Sequence, residues 1–213
     1  AMEARKLHLI VGKGPGARVL QLDLPPFTLI AATTRIALLS SPLRSRFSGG
    51  TFRLEFYTEK EIEEIIRRSA KILGVKIDPA ATRAIAARSR FTPRIANQFL
   101  KRARDLAQIK KKDVDGTIVE ETLTLMGVDK TGLSSADRKI LSILIEKFGG
   151  GPVGLNTLAA ATAEEEATIA EVHEPYLIQL GFLERTPRGR RATDQAYEHL
   201  GHKPPVNRQN KLL

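Results

Sequence analysis

The sequence predicts a mixed chain, α/β plus α: a short β-rich opening, a bundle of four helices, and a last helical module closed by a β-hairpin. Three observations support that class. Residues 7–30 are β-prone and interrupted by Gly and Pro, residues 58–126 carry four helix-start signatures in succession, and past residue 180 two short β-prone arms flank Pro187-Arg188-Gly189-Arg190. A length of 213 residues accommodates one large domain or two to three small ones, with ample material for a core.

Taken in order, Leu7, Leu9 and Val11 alternate before Gly12-Lys13-Gly14-Pro15-Gly16, and Val19, Gln21 and Asp23 alternate after it, which predicts a hairpin within 2–24. The glycine cluster is not a phosphate loop, because it lacks the GK[ST] ending. Pro25-Pro26 bars a helix from entering Phe27, Leu29 and Ile30, so this apolar run is expected to be a buried strand. Thr33, Thr34 and Arg35 follow it, where strands of an open α/β sheet present groups to ligands. Next comes Ser41-Pro42-Leu43-Arg44-Ser45-Arg46-Phe47, in which Leu43 and Phe47 can anchor a turn that offers an arginine outward; a solvated basic loop is the plainer alternative.

Thr58 and Glu61 form a capping box for a helix with Ile62, Ile65, Ile66, Ser69 and Leu73 inward and Gly74 as its stop. Asp78-Pro79 starts a second helix, running to about Ser89. Thr92-Pro93 starts a third, with Ile95, Phe99, Ala103 and Leu106 as its buried stripe. Thr117 and Glu120 are expected to cap a fourth, carrying Leu123 and Met126. The intervening KKKDVD segment at 110–115 reads as a charged loop only.

The pattern breaks around Gly127 to Gly132. Ser134 and Asp137 then cap a helix with Ile140, Leu141, Leu144, Ile145 and Phe148 inward, stopped by Gly149 to Gly151. A short strand at Val153 to Leu155, a helix at 156–162, a longer one at 164–180 bent near Pro175, and a hairpin from Phe182 to Thr193 complete the order of a winged helix. The third helix of that module opens with Glu164, Glu165 and Glu166, which phosphates repel. The wing instead carries Arg185, Arg188, Arg190 and Arg191, suited to sequence-independent phosphate contacts. Residues 203–213 read as a flexible tail.

Composition narrows the function classes. The chain has 34 basic and 24 acidic residues, a net charge of +10 and a pI near 10.0. That surplus favours an anionic partner, nucleic acid ahead of a membrane surface. There is no cysteine, which excludes disulfides and thiolate metal sites and fits a reducing cytoplasm. His8, His173, His199 and His202 lack metal-helix spacing and read as structural or surface residues, so no metal site is expected. No apolar run approaches a membrane span, and AMEARK lacks the hydrophobic segment of a signal peptide.

PPFTLIAATTR with SPLRSRF, then RLEFY, TPRIAN, EKFGGGPVGL, EPYLIQLGFLERTPRGR and AYEHLG, in that order, resembles the RuvB family of bacterial Holliday-junction branch-migration motors, which are hexameric AAA+ ATPases. The resemblance covers nearly the whole chain. It implies the remnant of an AAA+ α/β ATPase domain at 1–54 with a projecting β-hairpin, a helical lid at 55–127 and a C-terminal winged helix at 128–202. It implies ATP with Mg²⁺ as cofactor, DNA junctions and the junction-binding protein RuvA as partners, a homo-hexamer, and no membrane. Under it, Arg46 is an arginine finger acting on a neighbouring subunit, Arg44 its understudy, and Thr33 or Thr34 sensor 1. Arg94, in TPRIAN, becomes sensor 2, and Tyr57 lies beside the nucleotide, although a core tyrosine is an alternative there. Ile10, Val11, Val19 and Leu20 become the hairpin's contacts to RuvA. Departures are Phe91 in place of a glycine, Ser48 to Phe52 in place of a GIVQ-like run, and Glu166 where the family often has arginine. No G-x-x-x-x-G-K-[ST] loop and no strand ending in an acidic pair occurs, so the chain looks like the C-terminal portion of such a motor and is expected not to turn over ATP by itself. A non-enzymatic winged-helix binding protein with an oligomerisation module, and a clamp-loader-type subunit, are the rival readings.

Overall fold

A computed structural model describes residues 4–14 and 17–205 of the chain. It divides into two units, one ending at Glu55 and the other beginning at Phe56. In the first, β1 (Lys6–Val11) and β2 (Arg18–Asp23) pair antiparallel with Ile10 opposite Val19. The period of two places Leu7 and Leu9 on one face with Leu22 and Leu20, and Ile10 with Val19 on the other. The predicted hairpin is therefore present, although its Pro15-Gly16 turn lies outside the described residues. The expected buried strand is not. Phe27, Leu29 and Ile30 belong to no ladder, and Ile30 is 90% exposed. A strand exists through its neighbour's hydrogen bonds, and among the described residues no strand lies beside this run. A 3₁₀ turn (Ile36–Leu38) and the single-turn α1 (Ser41–Arg44) follow. None of the described residues up to Glu55 is buried.

The second unit contains two cores. Helix α2 (Glu59–Ile72) starts at the expected capping box, with Thr58 and Glu61 bonded reciprocally, and ends where Gly74, at φ 65°, lets Val75 N–H reach the Ala70 carbonyl at 2.9 Å. Helix α3 (Pro79–Arg88) is capped by Asp78, which accepts from Ala81 N–H at 2.6 Å. Helix α4 (Pro93–Lys110) buries Ala96, Phe99, Leu100, Ala103 and Ala107, so its stripe is turned slightly from the expected one, leaving Ile95 and Leu106 half-buried. Helix α5 (Gly116–Leu125) is capped by Asp115 rather than Thr117: the Asp115 carboxylate accepts from Ile118 N–H at 2.8 Å. The 110–115 segment is more than a charged loop, because Val114 is buried and bridges Ile77. Ile62, Ile66, Ile85, Leu100, Ile118 and Leu123 fill this first core, each contributing roughly 1.5–3 kcal/mol on burial.

The last module opens with α6 (Ser135–Glu146), capped reciprocally by Ser134 and Asp137 as expected. Gly149, Gly150 and Gly151 all take positive φ and stop it. Helix α7 (Leu155–Thr162) begins where a strand was expected, which reduces that strand to one bridge, Val153 to Arg190. The approach is close: a Cβ on Gly189 would stand 2.2 Å from the Val153 carbonyl oxygen. The anticipated break near Pro175 appears as α8 (Glu166–Thr168), a wide π turn (Ile169–His173) and α9 (Glu174–Gln179), since Pro175 has no N–H to give to the preceding turn. The wing is β3 (Leu183–Thr186) with β4 (Gly189–Ala192), and α10 (Asp194–His199) closes the module. Ile140, Leu141, Leu144, Leu158, Ile169 and Leu177 fill its core. Residues 206–213, most of the expected flexible tail, lie outside the described residues.

Candidate functional site

Three sets of basic side chains carry the candidate chemistry, one in the first unit and two in the second. In the first unit, Ser40 and Pro42 start α1, and the chain tightens so that Arg46 N–H bonds the Leu43 carbonyl at 3.2 Å and Phe47 N–H the Arg44 carbonyl at 3.1 Å. Leu43 and Phe47 are half-buried and hold the turn, while Arg44 and Arg46 are exposed. The Arg46 guanidinium donates from Nη1 to the Pro42 carbonyl at 3.0 Å, which fixes it along the turn that bears it. Thr33 and Thr34 are exposed as well, and the Thr33 hydroxyl accepts from Arg35 N–H at 3.0 Å. In the hairpin, Ile10 and Val19 face each other on one side, with Ile10 75% exposed. Val11 and Leu20 lie on the other side, so the four partner candidates do not share one face.

The second set lies on the four-helix bundle. Arg94 is exposed in the first turn of α4 and makes no hydrogen bond or ion pair among the described residues. No side chain caps that helix, because the Thr92 hydroxyl donates backward to the Arg90 carbonyl at 2.9 Å. An 18-residue helix thus presents uncapped N–H groups beside a guanidinium, an arrangement suited to phosphate oxygens. Arg94, Asn97, Gln98, Lys101, Arg102, Arg104 and Asp105 line an open groove of about 480 Å³ along the helix, and the buried Asn97 Oδ1 has no partner there. Tyr57 is exposed. Phe91 and its neighbour Arg90 both take left-handed backbone at φ 53° and 54°. Such a conformation costs of order 1–3 kcal/mol for a residue with a Cβ. Packing of the Phe91 ring against the winged-helix core opposes that cost.

The third set is the wing. Arg188, at its tip, is exposed and has no partner among the described residues. Its neighbours are committed. Arg185 and Arg190, opposite each other across the two strands, both bond Glu174, whose carboxylate is fully buried. Arg191 pairs with Glu184 at 2.5 Å on the exposed side. Glu165 and Glu166 are exposed at the start of α8, keeping negative charge where a groove-reading helix would begin.

Sequence reasoning missed Glu174, and read a second buried carboxylate, Asp137, only as a helix cap. Asp137 accepts from Arg90, from the Ser134 hydroxyl at 2.6 Å and N–H at 2.7 Å, and stands 2.7 Å from His173 Nδ1. Burial alone would push the Asp137 carboxyl up, but the bonds from His173 and Ser134 and the Arg90 charge outweigh it and hold the carboxyl below its ordinary range. Burial pushes the Tyr176 phenol up to about 12, against the lowering charge of Arg90. A signal for Glu174 was available, since it directly precedes the apolar run Pro175-Tyr176-Leu177-Ile178. Among the described residues no three His, Cys, Asp or Glu side chains stand close enough to hold a metal ion, and no helix is long and apolar enough to cross a membrane.

Three family profiles match in sequence: the Holliday junction DNA helicase RuvB P-loop domain over 1–54, the RuvB AAA lid domain over 57–129, and the RuvB C-terminal winged helix domain over 130–201. The Holliday junction branch migration complex subunit RuvB of Dehalococcoides mccartyi (strain CBDB1) is 59% identical over 201 residues, covering 94% of this chain and 57% of that protein. The structure of the Thermotoga maritima RuvB Holliday junction branch migration motor aligns at a TM-score of 0.78 and 53% identity, covering 85% of this chain and 61% of that one. A single-residue variant of the same protein aligns at a TM-score of 0.79 and 52% identity, over 86% and 62%. The chain therefore spans less than two thirds of the length of these relatives.

Proposed function

Because this chain belongs to the RuvB family, we propose that it supplies the nucleotide-sensing and DNA-holding parts of an ATP-driven motor that branch-migrates Holliday junctions in recombination and repair. Its working parts are residues 1–54 of an AAA+ ATPase domain, a lid at 55–127 and a winged helix at 128–202. The observation that carries the reading is Arg94, exposed and without an internal partner beside the uncapped start of α4. Bidentate donation from that guanidinium to two oxygens of a terminal phosphate would report the nucleotide to the lid. ATP with Mg²⁺ supplies the driving free energy when bound. The described residues fit the phosphate end of that cofactor and offer no cluster of ligands to the metal.

Arg46 is the arginine finger in this proposal, reaching across a subunit boundary in a ring of six toward charge that develops at the neighbour's phosphate, with Arg44 beside it. Such fingers are worth about 10³ to 10⁵ in rate in other NTPases. Thr33 or Thr34 senses the same phosphate within its own subunit, and Tyr57 flanks the nucleotide. The 213 residues hold no G-x-x-x-x-G-K-[ST] loop, and the chain alone is proposed not to hydrolyse ATP. The hairpin, through Ile10, Val11, Val19 and Leu20, is proposed to hold RuvA, and the motor to act in the cytoplasm.

For DNA, Arg188 is the leading phosphate contact, with Arg185, Arg190 and Arg191 behind it because each is already paired to a carboxylate. Binding of the chain to a four-way junction and to duplexes of unrelated sequence, over a potassium chloride series, tests this. The expected result is weak sequence preference, with a salt slope that falls by roughly 0.9 for Arg188→Ala, one phosphate contact being lost. A strong sequence preference, or an Arg188→Ala slope equal to that of the parent, would refute the wing as a backbone contact.

A further inference from the structure

The lid and the winged helix have separate cores, and the contacts that cross between them include the Phe91 ring on the winged-helix core and a polar set centred on Arg90. Arg90 lies on the lid segment four residues before Arg94. Its Nε donates to the Gly132 carbonyl at 3.2 Å, its Nη2 to Asp137, and its guanidinium lies 4.7 Å over the Tyr176 ring. Tyr176 in turn donates its hydroxyl to the Thr131 carbonyl at 2.6 Å. There is little slack around this junction, since a Cβ on Gly132 would stand 2.7 Å from the Arg88 carbonyl oxygen and 2.8 Å from the Tyr176 hydroxyl.

From Asp137 the contacts continue outward. Asp137 Oδ1 meets His173, and the very next residue, Glu174, clamps Arg185 and Arg190 across the wing. Those two arginines are one cross-strand pair short of the turn that bears Arg188. Both carboxylates are fully buried, and a buried carboxylate deprived of its guanidinium is strongly disfavoured, so neither joint opens readily.

We propose that Arg90 is a positioning residue that latches lid and winged helix into one lever, with His173-Glu174 carrying the orientation of the lid into the wing. Arg94 and Arg188 are then held in a fixed relation, so that a lid displaced at Arg94 carries the wing tip with it. The use of the lever, though not its existence, rests on the function proposed above.

The absence of cysteine allows labels at two chosen sites alone, Arg83→Cys on α3 and Glu198→Cys on α10, both exposed. Pulsed electron–electron spin distances between them should give one narrow distribution in the parent chain. Arg90→Ala should at least double its width while methyl spectra of both cores persist. Arg90→Lys keeps the charge but loses the planar fork, and should widen the distribution by an intermediate amount. Unchanged widths in both variants overturn the latch. In duplex binding, Arg90→Ala should weaken affinity by about three- to tenfold at an unchanged salt slope, because no phosphate contact is removed. Widened distances with unchanged affinity overturn transmission to the wing. Failure of the parent to bind DNA would refute the functional reading and leave the distance test standing.

Discussion

The segment from residue 4 to Glu55 and the unit that begins at Phe56 draw on similar apolar residues and do opposite things with them. In the first, Ile10, Ile30, Phe52 and Leu54 are all exposed, whereas in the second Ile62, Ile66, Leu141 and Leu144 are fully buried. The difference follows from where each backbone finds its hydrogen bonds. A helix satisfies its own interior, so α2 to α5 arise from local signals and then close on one another. A β-prone run such as Phe27 to Ile30 depends on a neighbour that the described residues do not supply. The same isoleucine is therefore structural in one place and surface in the other.

The sharpest way to break this contrast is to truncate an isoleucine on each side of it. Ile66→Ala should lower the stability of the second unit by about 2–5 kcal/mol in urea denaturation, combining lost transfer energy with a cavity. Ile30→Ala should stay within about 0.5 kcal/mol. Comparable losses at the two positions would mean that the apolar run packs in solution.

A similar contrast exists within the wing, at smaller scale. Arg190→Ala leaves the fully buried Glu174 with Arg185 alone, and should cost about 1–3 kcal/mol in the same measurement. Arg191→Ala breaks only the exposed pair with Glu184 and should cost less than about 1 kcal/mol. Equal costs would remove the distinction drawn between the two wing arginines.

Much of the second unit was legible because its helices begin and end on residues with one physical job. Thr58 with Glu61, Asp78, and Ser134 with Asp137 cap as read, and Gly74 and Gly149 to Gly151 stop helices as read. What escaped was tertiary. No local pattern pairs Arg90 with Asp137 or Glu174 with Arg190, because those partners are 47 and 16 residues apart and meet only after the cores form. Arg94 and Arg188 were legible as exposed cations, whereas the pairing of Arg185, Arg190 and Arg191 was not. The strand expected at Phe27 failed for the complementary reason: β-propensity describes fit to a sheet and does not supply one.

Acid titration reads the carboxylates that accept hydrogen bonds in the folded chain, buried or exposed. Asp137 is held below the ordinary 3.8 in the folded chain, so its contribution is present above that value and is lost as pH falls through its depressed folded pKa. Asp129, also lowered, acts in the same sense, through bonds from His199, Leu133 and Thr131 that outweigh its burial. Asp137→Asn should therefore flatten the acid limb of a stability-versus-pH curve below about pH 4. An acid limb as steep as that of the parent would show that the carboxyl ionises alike folded and unfolded.

The smallest effect sharpens the contrast between self-sufficient helices and a dependent strand, because it asks whether a helix start can be assigned to one atom. Two residues compete at the start of α5. Asp115 accepts from Ile118 N–H at 2.8 Å, and Thr117, two positions later, is exposed within the first turn. If the start is set locally, Asp115→Ala should cost about 1 kcal/mol through one lost cap, and Thr117→Ala only a few tenths, since alanine is the better helix former. Both substitutions leave Ile118 and Val119 in the core, so packing changes little between them. Thermal denaturation of the two variants side by side decides it. A greater loss at Thr117 would move the helix start two residues on, and would detach Val114 from the bridge to Ile77 that closes the loop before it.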